Sequence, residues 1–152
     1  MNSFDTIVIG SGPGGYVCAI RCAQLGMNVA IIEKYNNLGG TCLNVGCIPS
    51  KSLLESSELY HKAITDFSEH GISAVPKYDF SKMISRKSKV VKENSEGLNF
   101  LMKKNKISVF HGVGYLNKKG EVEIKNNGDK KVLKSKNIVI ATGSKPIVPS
   151  FI

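Results

Sequence analysis

The 152-residue sequence has no tryptophan, only 7% aromatic residues, and no apolar run approaching the roughly 18 residues that a membrane-spanning helix needs. Met1 to Phe4 lacks the basic n-region and apolar h-region of a secretory signal and runs straight into a strand-like pattern, so neither membrane nor secretion is expected. No repeat of fixed period and no low-complexity tract is present, which sets aside solenoids and fibrous arrays. Disorder does not fit a composition of 41% hydrophobic and 22% charged residues, and 15 glycines without a period exclude collagen. A chain of this length buries about two thirds of its unfolded surface, so one domain with its own core is expected.

The net charge of +9 raises the question of an anionic partner. The first 60 residues carry three basic and four acidic side chains, and the remainder 18 basic and eight acidic, so the excess lies wholly in the second part. There it is mostly lysine, scattered along a helical stretch (Lys82 to Lys106) and around turns (Lys118, Lys119, Lys125, Lys130, Lys131), with few aromatics interleaved to stack on bases. A solvated lysine face is expected, and no nucleic acid.

Periodicity gives the organisation. Phe4 to Gly10 is a β-branched apolar run ending in glycine, the signature of a buried parallel strand. Gly14 to Leu25 has helical spacing and stops at Gly26, and Asn28 to Ile32 is a second strand, which completes a βαβ unit. After a loop over Tyr35 to Gly40, helices are expected over Pro49 to Ile64 and Phe80 to Met102. Strands follow at Ile107 to Leu116, Glu121 to Lys125, Val132 to Ser135 and Asn137 to Ala141, with turns at Lys118-Lys119-Gly120 and Asn127-Gly128. The fold class is α/β: a Rossmann-like parallel sheet with long helices and an antiparallel β-ribbon insertion.

Gly10-Ser11-Gly12-Pro13-Gly14-Gly15 contains Gly-x-Gly-x-x-Gly, a pattern frequent enough by chance that context must decide. Here it follows a strand and opens a helix, and Glu33 stands 18 residues after Gly15 at the end of the second strand. Gly10 permits the tight turn, Gly12 lets the backbone approach a pyrophosphate, and Gly15 lets helix pack on strand, while Glu33 is placed to accept from both ribose hydroxyls. A dinucleotide site is the expectation.

The four cysteines form two unlike pairs. Cys18 and Cys22 lie four apart on the helix behind the glycine loop, where packing is expected, and a four-thiolate metal site with the second pair is not. Cys42 and Cys47 are five apart. In an ideal helix that spacing puts the Cα atoms about 8.6 Å apart, beyond the roughly 7 Å a disulfide bridges. Gly46 and Pro49 supply an irregular backbone just before a helix, whose N-terminus favours thiolate at Cys47, with Lys51 one turn on. A redox centre is the reading that follows, against two merely packed cysteines.

The thirteen residues Gly39-Gly40-Thr41-Cys42-Leu43-Asn44-Val45-Gly46-Cys47-Ile48-Pro49-Ser50-Lys51 resemble the active-site segment of the flavoprotein pyridine nucleotide-disulfide oxidoreductases. Leu43, Ile48, Ser50 and Lys51 resemble in particular its dihydrolipoamide dehydrogenase branch. The likeness continues through Gly14-Gly15-Tyr16-Val17, Ala23-Gln24-Leu25-Gly26, His111-Gly112-Val113-Gly114 and Ala141-Thr142-Gly143-Ser144. It implies that residues 1–152 are an FAD-binding domain with a redox-active cysteine pair. Gly10, Gly12, Gly14 and Gly15 would hold the FAD pyrophosphate and Glu33 the adenosine ribose with Lys34 close by. Gly40, Thr41 and Lys51 would lie along the ribityl chain and flavin, Gly114 at the adenine, and Thr142, Gly143 and Ser144 across the cofactor near the last strand.

The same resemblance makes Cys47 the flavin-proximal, charge-transfer sulfur and Cys42 the interchange thiol, with electrons passing from dihydrolipoamide to FAD and on to NAD. Family members are much longer. The nicotinamide-binding, central and dimer-interface domains are therefore expected to lie outside this segment, as is the catalytic histidine, since His61, His70 and His111 match no such motif. The segment alone is expected to be inactive. The implied partners are lipoyl domains of 2-oxo acid dehydrogenase complexes and of the glycine cleavage system, with a homodimer in the full-length protein. The compartment expected is the bacterial cytoplasm, or the mitochondrial matrix after presequence removal. Two alternatives remain open: another flavin disulfide reductase acting on glutathione or mercuric ion, or a non-catalytic flavin-binding module. No resident metal is expected.

Overall fold

In the computed structural model, which describes residues 3–117 and 120–151, the apolar run at the amino end forms β1 (Ser3–Ile9), with Ile7 and Val8 fully buried. The chain divides into two compact units, Met1–Gly40 with Leu98–Ile152, and Thr41–Gly97.

The first unit is built on β1. It is followed by α1 (Pro13–Gln24) and β2 (Val29–Glu33), every residue of which is buried. After the second unit the chain returns as β3 (Ser108–His111), β4 (Val113–Leu116), β5 (Val122–Asn126) and β6 (Asp129–Ile140). The six strands form one sheet in the order β3-β2-β1-β6-β5-β4. The pairings β3 with β2, β2 with β1 and β1 with β6 are parallel, and those of β5 with β6 and β4 are antiparallel. This is the expected α/β arrangement, a parallel sheet extended by an antiparallel ribbon. A core of Phe4, Ile7, Ile9, Ala30, Ile32, Val122, Ile124 and Leu133 joins the two parts. Gly15 and Ala19 of α1 are buried, and that helix packs on β1 and β2.

Two strand boundaries differ from the sequence reading. The run 107–116 is not one strand: Gly112, at φ 141, breaks it into β3 and β4, and a Cβ there would lie 2.7 Å from the Lys125 carbonyl oxygen. Conversely, 132–135 and 137–141 are not two strands but the single β6. Its polar residues, which read as a break, serve β1: Lys136 Nζ pairs with Asp5 at 2.7 Å, Asn137 Nδ2 donates to the Asp5 carbonyl, and Ser135 Oγ donates to that of Phe4. The Asn127-Gly128 turn joins β5 and β6 with both residues at positive φ, as a two-residue hairpin requires. The turn expected at Lys118-Lys119-Gly120 falls on residues 118 and 119, which lie outside the described residues.

The second unit is helical. Residues 40–44 form a short helix, α2 (Gly40–Asn44), which lacks the length and apolar period that would have announced it. α3 (Cys47–Thr65) starts two residues before Pro49, which is tolerated there because a first-turn N–H has no helical partner to lose. A 3₁₀ turn (Phe67–His70) follows, and then α4 (Phe80–Lys104), which ends in the first unit. Arg86 of α4 donates to the carbonyl oxygen (3.0 Å) and hydroxyl (2.9 Å) of buried Ser52 on α3 and pairs with Glu55. No helix among the described residues is long and apolar enough to cross a membrane.

Candidate functional site

The strand order reverses between β1 and β6, where open α/β sheets bind ligands beyond the carboxyl ends of their strands. The glycine loop occupies that position. Gly10, at φ 102, donates to the Ile32 carbonyl at 2.8 Å, and Ala141 donates to that of Ile9 at 2.8 Å, so the ends of the three strands are tied together. The glycines fall into two kinds. A Cβ on Gly10 would lie 2.7 Å from the Ala141 carbonyl carbon, one on Gly15 within 2.9 Å of the Gly10 carbonyl carbon, and one on Gly40 at 2.7 Å from the Gly12 Cα. Those three are glycine because the protein itself fills the space. Around Gly12 and Gly14 a Cβ would meet nothing within 4 Å.

That open space faces the start of α1. The N–H groups of Gly15 and Tyr16 both turn back on the Gly12 carbonyl at 2.9 Å, and Pro13 has none to offer, leaving Gly14 as the first-turn donor without a helical acceptor. With no acidic side chain in that first turn, the positive helix end is unneutralised. An anionic pyrophosphate fits both the open backbone and the charge.

Glu33 is only 5% exposed at the end of β2. Its Oε2 accepts from the N–H (3.0 Å) and hydroxyl (2.5 Å) of Ser11, and its Oε1 from the N–H of Tyr35 (3.0 Å). Three donors leave about one of the four acceptor directions of a carboxylate for a ligand hydroxyl. Glu33 therefore also pins the loop to the sheet. Ser11 is the residue that sequence reasoning missed: fully buried, it also accepts from Gly39 N–H at its hydroxyl (3.2 Å) and carbonyl (3.0 Å). Its only sequence signal was a small hydroxyl inside the motif.

The remaining expected positions in this unit lie around the same strand ends or beyond them. Lys34 is exposed with its ammonium 4.9 Å from the Tyr35 ring centre, and the Tyr35 carbonyl is 3.0 Å from Nδ1 of exposed His111. Gly114 is half-buried in β4, where a Cβ would lie 3.0 Å from the Ile9 Cγ2. Thr142, Gly143 and Ser144 are exposed just after β6.

The cysteine pair belongs to the second unit. α2 ends at Asn44 and α3 begins at Cys47, so the helix is interrupted between the two cysteines, the irregular backbone expected there and the one that a bond between them requires. Gly46 makes the fold-back possible: a Cβ there would lie 3.0 Å from the Thr41 carbonyl oxygen and 3.3 Å from the Cys42 Cα. Neither Cys42 nor Cys47 is in a disulfide, and the two lie close enough that the side chain and backbone of Cys47 act on the Cys42 sulfur. The Cys47 side chain holds the Cys42 thiol above its ordinary pKa, reinforced by desolvation and opposed by the Lys51 charge. Cys42 is half-buried; Cys47, at the helix N-terminus, is exposed, as are Thr41 and Lys51. His61 and His70 are exposed on α3 and the 3₁₀ turn. Among the described residues no three histidine, cysteine or acidic side chains converge as metal ligands.

The chain matches the family model of the pyridine nucleotide-disulphide oxidoreductases over residues 4–152. It is 47% identical over 148 residues to dihydrolipoyl dehydrogenase 3 of Pseudomonas putida, covering 96% of this chain and 32% of that protein. To the mitochondrial dihydrolipoyl dehydrogenase of Pisum sativum it is 46% identical over 142 residues, covering 92% and 28%. Among solved structures, the Cu(II) complex of the HOCl-induced flavoprotein disulfide reductase RclA from Escherichia coli superposes with a TM-score of 0.80 at 27% identity, over 99% of this chain and 31% of that one. The chain thus spans about a third of the length of the relatives it matches. A family match over nearly every residue, on a parallel sheet that carries the glycine loop, makes this chain a member of the pyridine nucleotide-disulphide oxidoreductases.

Proposed function

We propose that this chain is the FAD-binding, dithiol-bearing portion of a dihydrolipoyl dehydrogenase. The observation that carries the reading is the pair Cys42 and Cys47, set on either side of a helix break that Gly46 folds back against Thr41 and Cys42. In the first unit, Gly10, Gly12, Gly14 and Gly15 would hold the pyrophosphate, Glu33 and Lys34 the ribose, and Gly114 the adenine, with Gly40 and Thr142 to Ser144 along the rest of the cofactor. When bound, FAD supplies a two-electron acceptor, from which a nicotinamide-binding domain of the longer chains would deliver the electrons to NAD.

The protein's own chemistry is thiol–disulfide exchange. Starting from the Cys42–Cys47 disulfide, a substrate thiolate attacks the Cys42 sulfur; the S–S bond breaks and Cys47 leaves as a thiolate. The substrate's second thiol then attacks its own sulfur in the mixed disulfide and expels Cys42, which takes up the proton released. The substrate departs as a cyclic disulfide, oxidised by two electrons; the pair is left reduced, Cys42 as a thiol and Cys47 as a thiolate, with the proton of the first substrate thiol released to solvent. A Cys42 thiol held above its ordinary pKa suits it to keep its own proton.

Lipoyl domains of 2-oxo acid dehydrogenase complexes and of the glycine cleavage system are the partners this reading assigns, with a homodimer as the working unit. Relatives named from a bacterium and from mitochondria suit either compartment, and the bacterial cytoplasm is the one proposed. A second reading, another flavin disulfide reductase, is favoured by the likeness to RclA. Turnover of the full-length protein separates them. NAD-linked oxidation of dihydrolipoamide, with no activity on glutathione disulfide or mercuric ion, is expected, and the opposite pattern would remove the dihydrolipoyl assignment.

A further inference from the structure

α1 carries a second cysteine pair that the proposed redox reaction does not use. Cys18 and Cys22 are one turn apart on one face of a regular helix. They flank the stripe of Gly15 and Ala19 that is buried against the sheet, and both cysteines are half-buried rather than enclosed. The two side chains are near enough for Cys22 to act on the Cys18 thiol. Burial, and then the neighbouring Cys22, hold the Cys18 thiol above its ordinary pKa, so it keeps its proton at neutral pH.

These features decide what the pair can bind. Cβ atoms four residues apart on a helix are about 5–6 Å apart. A disulfide needs about 3.5–4.5 Å, so the two sulfurs cannot bond directly without bending α1. A single atom placed between them relieves that mismatch. Metal ions take thiolates and usually three or four ligands, but no third metal-binding side chain converges there among the described residues. A trivalent monosubstituted arsenical needs only two sulfur ligands, its third position being taken by its organic group.

We propose that Cys18 and Cys22 form a chelating site for trivalent organoarsenicals, in addition to the Cys42 and Cys47 pair. In the condensation of the arsonous acid R–As(OH)2, the hydrated form of an arsine oxide, two S–H and two As–O bonds break, two As–S and two O–H bonds form, two waters leave, and arsenic stays trivalent, so no oxidant or reductant is required. The site is independent of the proposed function. It holds whether or not the protein oxidises dihydrolipoamide.

The test uses phenylarsine oxide on the flavin-loaded full-length protein carrying Cys42→Ser and Cys47→Ser, read by native mass spectrometry. One phenylarsenic group per chain is expected, lost when either Cys18→Ala or Cys22→Ala is added, since alanine preserves the helix. A bidentate adduct should survive excess monothiol and be released by 2,3-dimercaptopropanol. Absence of the adduct, its persistence in both alanine variants, or its release by monothiol overturns the proposal. Should the double serine variant fail to fold, the wild type with Cys42 and Cys47 oxidised to a disulfide offers the same readout with Cys18 and Cys22 still reduced.

Discussion

Two alanine substitutions three residues apart separate the architectural and ligand-binding uses of the glycine loop. At Gly12 the backbone has the ordinary φ of −64 and a Cβ meets nothing within 4 Å, so Gly12→Ala should change folding stability by no more than about 0.5 kcal/mol. The same methyl enters the space reserved for the pyrophosphate. Pushing the phosphate off one or two charge-assisted N–H bonds, each about 1.5–3 kcal/mol, would weaken FAD binding by about 10- to 10⁴-fold. At Gly15 the Cβ would fall on the Gly10 carbonyl, within 2.9 Å of its carbon, and α1 would have to leave the sheet. Overpacking of that kind costs about 1–3 kcal/mol or more whether or not flavin is present. The assay is chemical denaturation of apoprotein beside flavin titration by fluorescence, on wild type and both variants. Gly12→Ala binding FAD as tightly as wild type, or Gly15→Ala unfolding as wild type does, would refute the division.

Two further outcomes follow from the geometry. Asp5 is held below its ordinary pKa by Lys136 first and by the Asn28 N–H second. Its charge therefore stabilises the folded chain above the unfolded carboxylate pKa of about 3.9, and that contribution is lost as pH falls through the lower folded value. Asp5→Asn, which keeps an oxygen for Asn28, should lower the Tm at pH 7 by an amount that vanishes in acid, and a gap independent of pH would contradict the assignment. Gly46→Ala should destabilise the second unit by about 1–3 kcal/mol and slow Cys42–Cys47 disulfide closure roughly tenfold or more, as followed by quenched alkylation.

The βαβ core was legible because each signal there is local: a β-branched run ending in Gly10, a helix opened by Pro13 and Gly14, and an acidic residue closing β2. The break between Cys42 and Cys47 was legible too, since a helical five-residue spacing puts their Cα atoms too far apart to bond. What escaped depended on partners distant in sequence. The polar stretch Ser135 to Asn137 reads as a loop until β1 supplies the Asp5 and Phe4 groups it binds. Gly112 reads as one more strand residue until Lys125 of β5 crowds it. Ser11 carries no periodic signal, and its role exists only because Glu33 and Gly39 converge on it.

The central claim is that Cys42 and Cys47 exchange electrons with a dithiol substrate. Anaerobic titration of the flavin-loaded full-length protein with dihydrolipoamide, followed by rapid alkylation and peptide mass mapping, tests it most directly. The account predicts an unalkylated, disulfide-linked Cys42 and Cys47 before titration and both alkylated after it, with Cys18 and Cys22 reduced throughout. Cys42 and Cys47 that stay linked while dihydrolipoamide is consumed, or that are alkylated before any is added, would contradict it.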